Sequence, residues 1–279
     1  MILVFGKSGQ VATELQRQAD VTALGRDQAD LSDPDACFAA IETHKPALVI
    51  NAAAYTAVDK AEEEEALATV INGDAPEAIA RACAGQGIPF LHISTDYVFE
   101  GGGAAPWRET DPVAPQNAYG RSKLAGEAAV QAAGGQWAIL RTAWVFSAHG
   151  NNFVKTMLCL SKTRDHLTIV ADQMGCPTPA ADIAATLLTM GQAMQSGQGG
   201  GLYHYGGAPF ASWADFARAI FAGADRATAV EDIPTSAFPT PASRPLNSRL
   251  DCAKLETDFG ITPADWQAGL QAILEDLNT

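Results

Sequence analysis

Residues 2–18, ILVFGKSGQVATELQRQ, decide the fold. Ile2 to Phe5 form a short aliphatic run that reads as a buried strand, and Gln10 to Gln18 carry a helical pattern. Between them lie Gly6 and Gly9, in the strand-loop-helix context that gives a glycine pattern meaning. Gly6 suits the tight turn. Gly9 lets the backbone approach a pyrophosphate at the helix N-terminus, and Ala12 stands where a third glycine often packs helix on strand. The spacing is GxxGxxA rather than GxGxxG, so these residues alone also fit a plain strand-to-helix turn.

The same alternation continues outward. VTAL (21–24), ALVINAA (47–53) and IPFLHIS (88–94) read as strands, and WAILRTAWVF (137–146) reads as one more. Helices fall between them. One starts at Ser32 or Asp33 with Pro34 in its first turn. Another, GDAPEAIARACAGQG (73–87), stops at Gly85 or Gly87. NAYGRSKLAGEAAVQAAGG (117–135) is the next. This rhythm predicts an α/β fold: a Rossmann-type, doubly wound parallel sheet covered by helices on both faces. We expect residues 1–150 to be the dinucleotide-binding domain. Residues 151–279 are expected to be a smaller, mainly substrate-binding region that contributes some strands back to the main sheet. That region holds helical patterns at 150–163, 181–194, 212–223 and 263–277, a flexible connector SGQGGG (196–201), and the proline-rich tract IPTSAFPTPASRPLNSRLD (233–251), read as irregular. No internal repeat is visible.

Composition narrows the function. Hydrophobic residues make up 47% and charged residues 18% of the 279, an ordinary globular balance. The net charge of -14 argues against nucleic acid and against an anionic membrane surface as partners. The cysteines and histidines are scattered, with no CxxC and no metal-ligand spacing. We therefore expect free, mostly buried thiols, no metal site and a cytoplasmic location. The opening apolar run is too short for a signal peptide and lacks a basic lead.

Tyr119 and Lys123 lie four residues apart at the start of the 117–135 helix, so they share a face. Thr95 lies at the end of the preceding strand, and in such sheets ligands bind outside the carboxyl ends of the strands. A hydroxyl, a phenol and an ammonium thus converge where a nicotinamide would lie. Reducing a ketone needs a hydride and a proton for the forming alkoxide. A phenol with a free pKa of ~10 is a slow donor, and a neighbouring ammonium is expected to lower that value. Gly25 and Arg26 follow the second strand, where an acidic residue would bind an adenosine ribose hydroxyl. Their presence favours the 2′-phosphate of NADPH, with NADH possible. The acidic run Glu62 to Glu65 reads as a solvated face early in a helix. Arg244 and Arg249 fit either substrate phosphates or protein carboxylates.

This pattern resembles the extended short-chain dehydrogenase/reductases. Seven further stretches narrow the likeness: GKSGQVATELQ, NAAAYTAVDKAE, STDYVFEG, NAYGRSKLAGE, LRTAWVFSAHGNNFVKTM, DQMGCPTPA and PTPASRPLNSRLD. Together they resemble the dTDP-4-dehydrorhamnose reductase family nearly end to end. The resemblance implies reduction of the 4-keto group of a dTDP-4-keto-6-deoxy sugar to dTDP-L-rhamnose, with NADPH or NADH. It implies Tyr119 as proton donor and Lys123 as its electrostatic and ribose-binding partner. It implies Thr95, Asp96 and Trp144 at the sugar, and Gly9, Gln10 and Val11 at the pyrophosphate. Asp30 and Leu31 are implied near the adenine, and Ala54, Tyr55 and Thr56 beside the nicotinamide. A homodimer is implied too. Some members bind magnesium between subunits through glutamates. Glu14 matches one of these, but Ala181 replaces another, so no metal is expected. Another nucleotide-sugar 4-keto reductase, or a non-catalytic regulatory relative, would share much of this pattern.

Overall fold

A computed structural model describes residues 1–278. The central sheet has six strands, all parallel: β1 (Ile2–Phe5), β2 (Val21–Leu24), β3 (Leu48–Asn51), β4 (Phe90–Thr95), β5 (Trp137–Thr142) and β7 (Gly201–His204). Their order is β2-β1-β3-β4-β5-β7. The chain leaves β1 in one direction for β2 and returns in the other for β3. The crevice at the carboxyl ends of β1 and β3 is therefore the topological switch point.

Strand periodicity builds both layers. Leu3, Phe5, Val49, Phe90 and Ile139 face one side, against Ile41 of α2 (Pro34–His44), Ile79 of α3 (Ala75–Gln86) and Val130 of α4 (Ala118–Ala133). Val4, Ile50, Leu91 and Leu140 face the other, against α1 (Gln10–Gln18) and α6 (Ala180–Gln195). Adjacent residues thus feed opposite cores, as a strand covered on both faces requires. Helix starts follow the expected signals. Asp33 accepts from the Ala36 amide at 3.1 Å and Pro34 opens α2, while Gly87, not Gly85, takes the left-handed conformation that ends α3. Asn117 caps α4 by accepting from the Gly120 amide at 2.8 Å.

The second half adds β7 and α6 to the central layers and builds its own aromatic core. Phe146, Phe216, Trp266 and Leu270 are buried there, with α5 (Phe153–Leu160), α7 (Trp213–Gly223) and α9 (Trp266–Asn278) around them. Strand β6 (His166–Val170) pairs in parallel with β8 (Ala229–Ile233) beside this core. The short helix α8 (Ala253–Phe259) packs its Leu255 on the central layer. The proline-rich tract is irregular, as expected, and is pinned by bridges from Asn247 to Met174 and from Leu250 to Trp107.

Two expectations fail locally. WAILRTAWVF is not one strand. β5 stops at Thr142, Trp144 turns into the left-handed region at φ 50°, and Val145–Phe146 pairs with Thr178–Pro179 instead. A left-handed non-glycine residue costs about 1 kcal/mol, which the tryptophan's stacking must offset. The Glu62–Glu65 run faces solvent, as expected, but does not lie early in one helix. It spans the break between two short helices, Val58–Ala61 and Glu65–Thr69, and three of its carboxylates hold neighbouring structure. Glu62 accepts from the Ala118 amide at 2.7 Å, Glu65 grips the Arg121 guanidinium at 2.7 and 2.8 Å, and Glu64 accepts from the Tyr55 hydroxyl at 2.7 Å. The first two anchor the start of α4. No helix among the described residues is long and apolar enough to cross a membrane.

Candidate active site

The crevice at the switch point opens into a cleft of about 770 Å³. Its floor is the loop between β1 and α1. Gly6 has φ 105°, and an added Cβ would press on Ala52 and Ala53 at 3.3 Å, so glycine is required there. Gly9 precedes α1 without any side-chain cap, which leaves the amides of the first helical turn available. Such amides, with the positive end of the helix dipole, suit an anion. Gln10 and Val11 also line the cleft. Above Gln10 folds the segment 147–152. Ser147 and Asn152 both donate to the Gln10 side-chain oxygen, at 2.8 and 2.9 Å.

Arg26 lies exposed on one side of the cleft, with Asp30 and Leu31 in the same wall. The Ser32 amide, donating at 2.9 Å, holds the Asp30 carboxyl below its ordinary pKa, with help from the Arg26 charge. Ala54, Tyr55 and Thr56 line the opposite wall, after β3. Asn72 fixes this loop from behind. Its side chain accepts from the Tyr55 amide at 2.8 Å and donates to the Tyr55 carbonyl at 3.0 Å and to Ser122 Oγ at 2.9 Å.

Thr95, Asp96, Tyr119, Lys123 and Trp144 meet at the far end. Tyr119 lies edge-on to Tyr97, with ring centroids 5.4 Å apart. Burial pushes the phenol up to about 12, against a hydrogen bond from Thr95 that favours the phenolate. The expected acidification by Lys123 is absent. The lysine ammonium turns into the sheet, donates to the Ile93 carbonyl at 2.7 Å, and is 2% exposed. Burial brings Lys123 down to about 8, opposed by the Glu127 carboxylate. Desolvation therefore outweighs the pairwise attraction that spacing alone suggested.

Asp96 is buried, which raises its carboxyl to about 6 despite bonds to Ser248 and Thr95. One of its oxygens, Oδ2, has no protein partner, and neither does the buried Thr142 hydroxyl on the same cleft. Trp144 stacks on Trp213 at 3.6 Å, with its edge over Gly175, where a Cβ would overlap the indole. Arg244 pairs with Asp59 at 2.8 Å while its buried Nη1 has no hydrogen-bond partner, and Arg249 donates to the Asn247 side chain at 2.8 Å.

The residues singled out for catalysis, for the cofactor and for the sugar ring thus line one cleft, whereas Arg244 and Arg249 do not line it. Sequence reasoning missed Asn72, His92 and the Ser147–Asn152 clasp. The last was visible only as SAHGNN following a strand. His92 and Asn72 carry no local signal, because their partners are remote in the chain. Among the described residues no cluster of three or more His, Cys, Asp or Glu side chains is placed to hold a metal ion. Glu14 accepts from His149 at 2.9 Å. Cys37, Cys83, Cys176 and Cys252 are buried free thiols, and Cys159 is exposed.

A doubly wound sheet, an uncapped helix start over a glycine turn, and a Thr–Tyr–Lys group beyond β4 define a dinucleotide-dependent oxidoreductase of the short-chain dehydrogenase/reductase class. The model of the family described as "RmlD substrate binding domain" matches residues 1–279. A dTDP-4-dehydrorhamnose reductase of Sinorhizobium fredii is 44% identical, over 98% of this chain and 96% of its own. The solved structure of the Clostridium acetobutylicum reductase superposes with a TM-score of 0.93 at 38% identity, covering 100% of this chain and 99% of the other. The Bacillus anthracis reductase, solved in complex with NADP, has a TM-score of 0.93 at 32% identity, covering 99% and 98%. The chain belongs to the dTDP-4-dehydrorhamnose reductase family.

Proposed function

We propose that this enzyme reduces the 4-keto group of dTDP-4-dehydro-L-rhamnose to give dTDP-L-rhamnose, with NADPH preferred over NADH. The carrying observation is the convergence of Thr95, Tyr119 and Lys123 on the cleft that also holds the glycine turn. The cradle fits a dinucleotide: Gly9 leaves its Cβ direction open to 3.9 Å, and the first turn of α1 presents amides to a diphosphate. Arg26 is the group for a 2′-phosphate, and Asp30 and Leu31 flank the adenine. Ala54, Tyr55 and Thr56 border the nicotinamide, which supplies the hydride when bound.

The chain's own groups do the rest. The Thr95 hydroxyl and the Tyr119 hydroxyl both bond the sugar's keto oxygen. A phenol held protonated at neutral pH is a proton donor, and Tyr119 passes its proton to the oxygen as charge develops there. Lys123 holds the ribose and stabilises the phenolate that remains. Asp96 and the Trp144 indole orient the sugar ring. We place the enzyme in the cytoplasm as a homodimer, the arrangement implied by the family resemblance; sedimentation at twice the chain mass tests the second point. We also divide the chain near residue 150 into cofactor and substrate regions.

Tyr119→Phe tests the assignment. Turnover, followed by NADPH absorbance, should fall ~10²- to 10⁴-fold while NADPH binding stays within about twofold. NMR of the product distinguishes the rhamno sugar from another epimer. Wild-type turnover in the variant would refute the role of Tyr119.

A further inference from the structure

In dinucleotide folds that take NADH, an acid at the end of the second strand accepts from the adenosine ribose hydroxyls. Here Gly25 follows β2 and has no side chain to offer. A neighbouring residue puts a carboxylate at that place. Asp27 Oδ1 lies 2.5 Å from the point where a Cβ on Gly25 would stand. In an aspartate the carboxylate oxygens lie ~2.4 Å from their own Cβ, from ordinary bond lengths. One oxygen of Asp27 is thus as far from that point as the carboxylate of an aspartate at residue 25 would be.

The backbone explains how it gets there. Residues 25–29 fold into a tight turn, in which the amides of Gln28 and Ala29 both donate to the Gly25 carbonyl at 3.0 Å. The turn carries Asp27 back over Gly25, and the carboxylate settles there only because Gly25 lacks a Cβ. The turn makes no use of that carboxylate. Asp27 is exposed, and its side chain has no hydrogen bond or ion pair among the described residues. Gly25 belongs to the same wall of the cleft as Arg26 and Lys7. The Lys7 stem passes 3.5 Å from the same point beside Gly25. Asp30, the other acid of this wall, is already engaged by the Ser32 amide at 2.9 Å.

We propose that Asp27 is a specificity-determining residue: its carboxylate replaces the acid that residue 25 lacks, accepts from the ribose hydroxyls of NADH and opposes the 2′-phosphate of NADPH. Arg26 and Lys7 attract that phosphate. One acid for the hydroxyls thus stands beside two cations for the phosphate, an arrangement that rests on the proposed use of this cleft by a dinucleotide. Both cofactors are accepted, with NADPH ahead because the cations outnumber the acid.

Calorimetric titration of the purified protein with NADH and with NADPH reads this balance without turnover. Asp27→Ala should weaken NADH binding ~10-fold and tighten NADPH binding ~3-fold, shifting the ratio of the two dissociation constants ~30-fold. Asp27→Asn keeps an acceptor without the charge, so it should favour NADPH as much and weaken NADH less. Lys7→Ala should shift the ratio the other way, weakening NADPH ~3- to 10-fold and NADH less than about twofold. Gly25→Asp added to Asp27→Ala returns the acid to the end of β2. Gly25 lies outside the left-handed region, and with Asp27 removed its Cβ meets only the Lys7 stem at ordinary contact. NADH affinity in this double variant should return to within about threefold of wild type. An unchanged ratio in Asp27→Ala overturns the proposal. So does equal weakening of both cofactors, which would mark Asp27 as a support of the turn. Failure of Gly25→Asp to restore NADH binding counts against it. Wild-type protein that binds neither cofactor would refute the proposed function and this assignment together. Wild-type binding of both, unmoved by Asp27→Ala, would refute this assignment alone.

Discussion

Gly126→Ala should damage catalysis from a position that touches no substrate. Gly126 lies on α4, one turn beyond Lys123, where the helix meets the one-turn π segment Val70–Asp74. An added Cβ would overlap the Asn72 carbonyl oxygen and come within 3.1 Å of its carbon. The obstacle is backbone, so no rotamer relieves it. Restoring ordinary contact requires α4 and the segment to separate by about 1 Å. Asn72 also bonds Tyr55 and Ser122, so the separation shifts the Tyr55 wall against the helix carrying Tyr119 and Lys123. Overpacking of this kind costs ~1–3 kcal/mol, or roughly 3–10 °C of thermal midpoint. A displacement near 1 Å costs ~10- to 100-fold in kcat/KM. NADPH absorbance gives the rate and circular dichroism the midpoint. Gly85→Ala is the control: Gly85 lies within α3, outside the left-handed region, with nothing within 4 Å of an added Cβ. It should keep full turnover and gain up to ~1 kcal/mol. The reasoning fails if Gly126→Ala matches wild type in both rate and midpoint, or if Gly85→Ala falls with it.

Asp96→Asn should be more stable than wild type at pH 7 but not at pH 4. The folded carboxyl titrates near 6, above its ordinary 3.8, so the folded state holds the extra proton between those values. Wild-type stability is then full below about 3.8 and declines as pH rises through 6, a loss on the order of 2–3 kcal/mol that the amide avoids. Urea titrations at the two pH values measure it. Glu127→Gln leaves the Arg141 guanidinium, 3% exposed, without its carboxylate, and should lower the urea-derived stability by ~3–5 kcal/mol; a loss below 1 kcal/mol would contradict that pairing. Arg26→Ala should raise the KM for NADPH about tenfold and leave that for NADH within about twofold, since only the former carries a phosphate for the guanidinium. Equal effects on both cofactors would remove Arg26 from the 2′-phosphate.

The sequence by itself determined the layers and the location of the cleft. Strand period, glycine turns and helix caps act within a few residues, so ILVFGKSG and NAYGRSK already declare a β-loop-α cradle and a helix carrying phenol and amine on one face. The resemblance across the chain added the sugar and the reaction. Tertiary structure alone decided what those side chains do once enclosed. It broke WAILRTAWVF at Trp144, because the indole finds Trp213 and Gly175 from distant segments. It made the solvent-facing acidic run Glu62–Glu65 an anchor for the catalytic helix as well, because Ala118 and Arg121 fold onto it. It left Tyr119 a protonated phenol rather than an acidified one, and turned Lys123 toward Ile93 and His92. Spacing fixes which groups are neighbours along a helix. The exclusion of water, and the donors and acceptors brought in from remote strands, fix their charge.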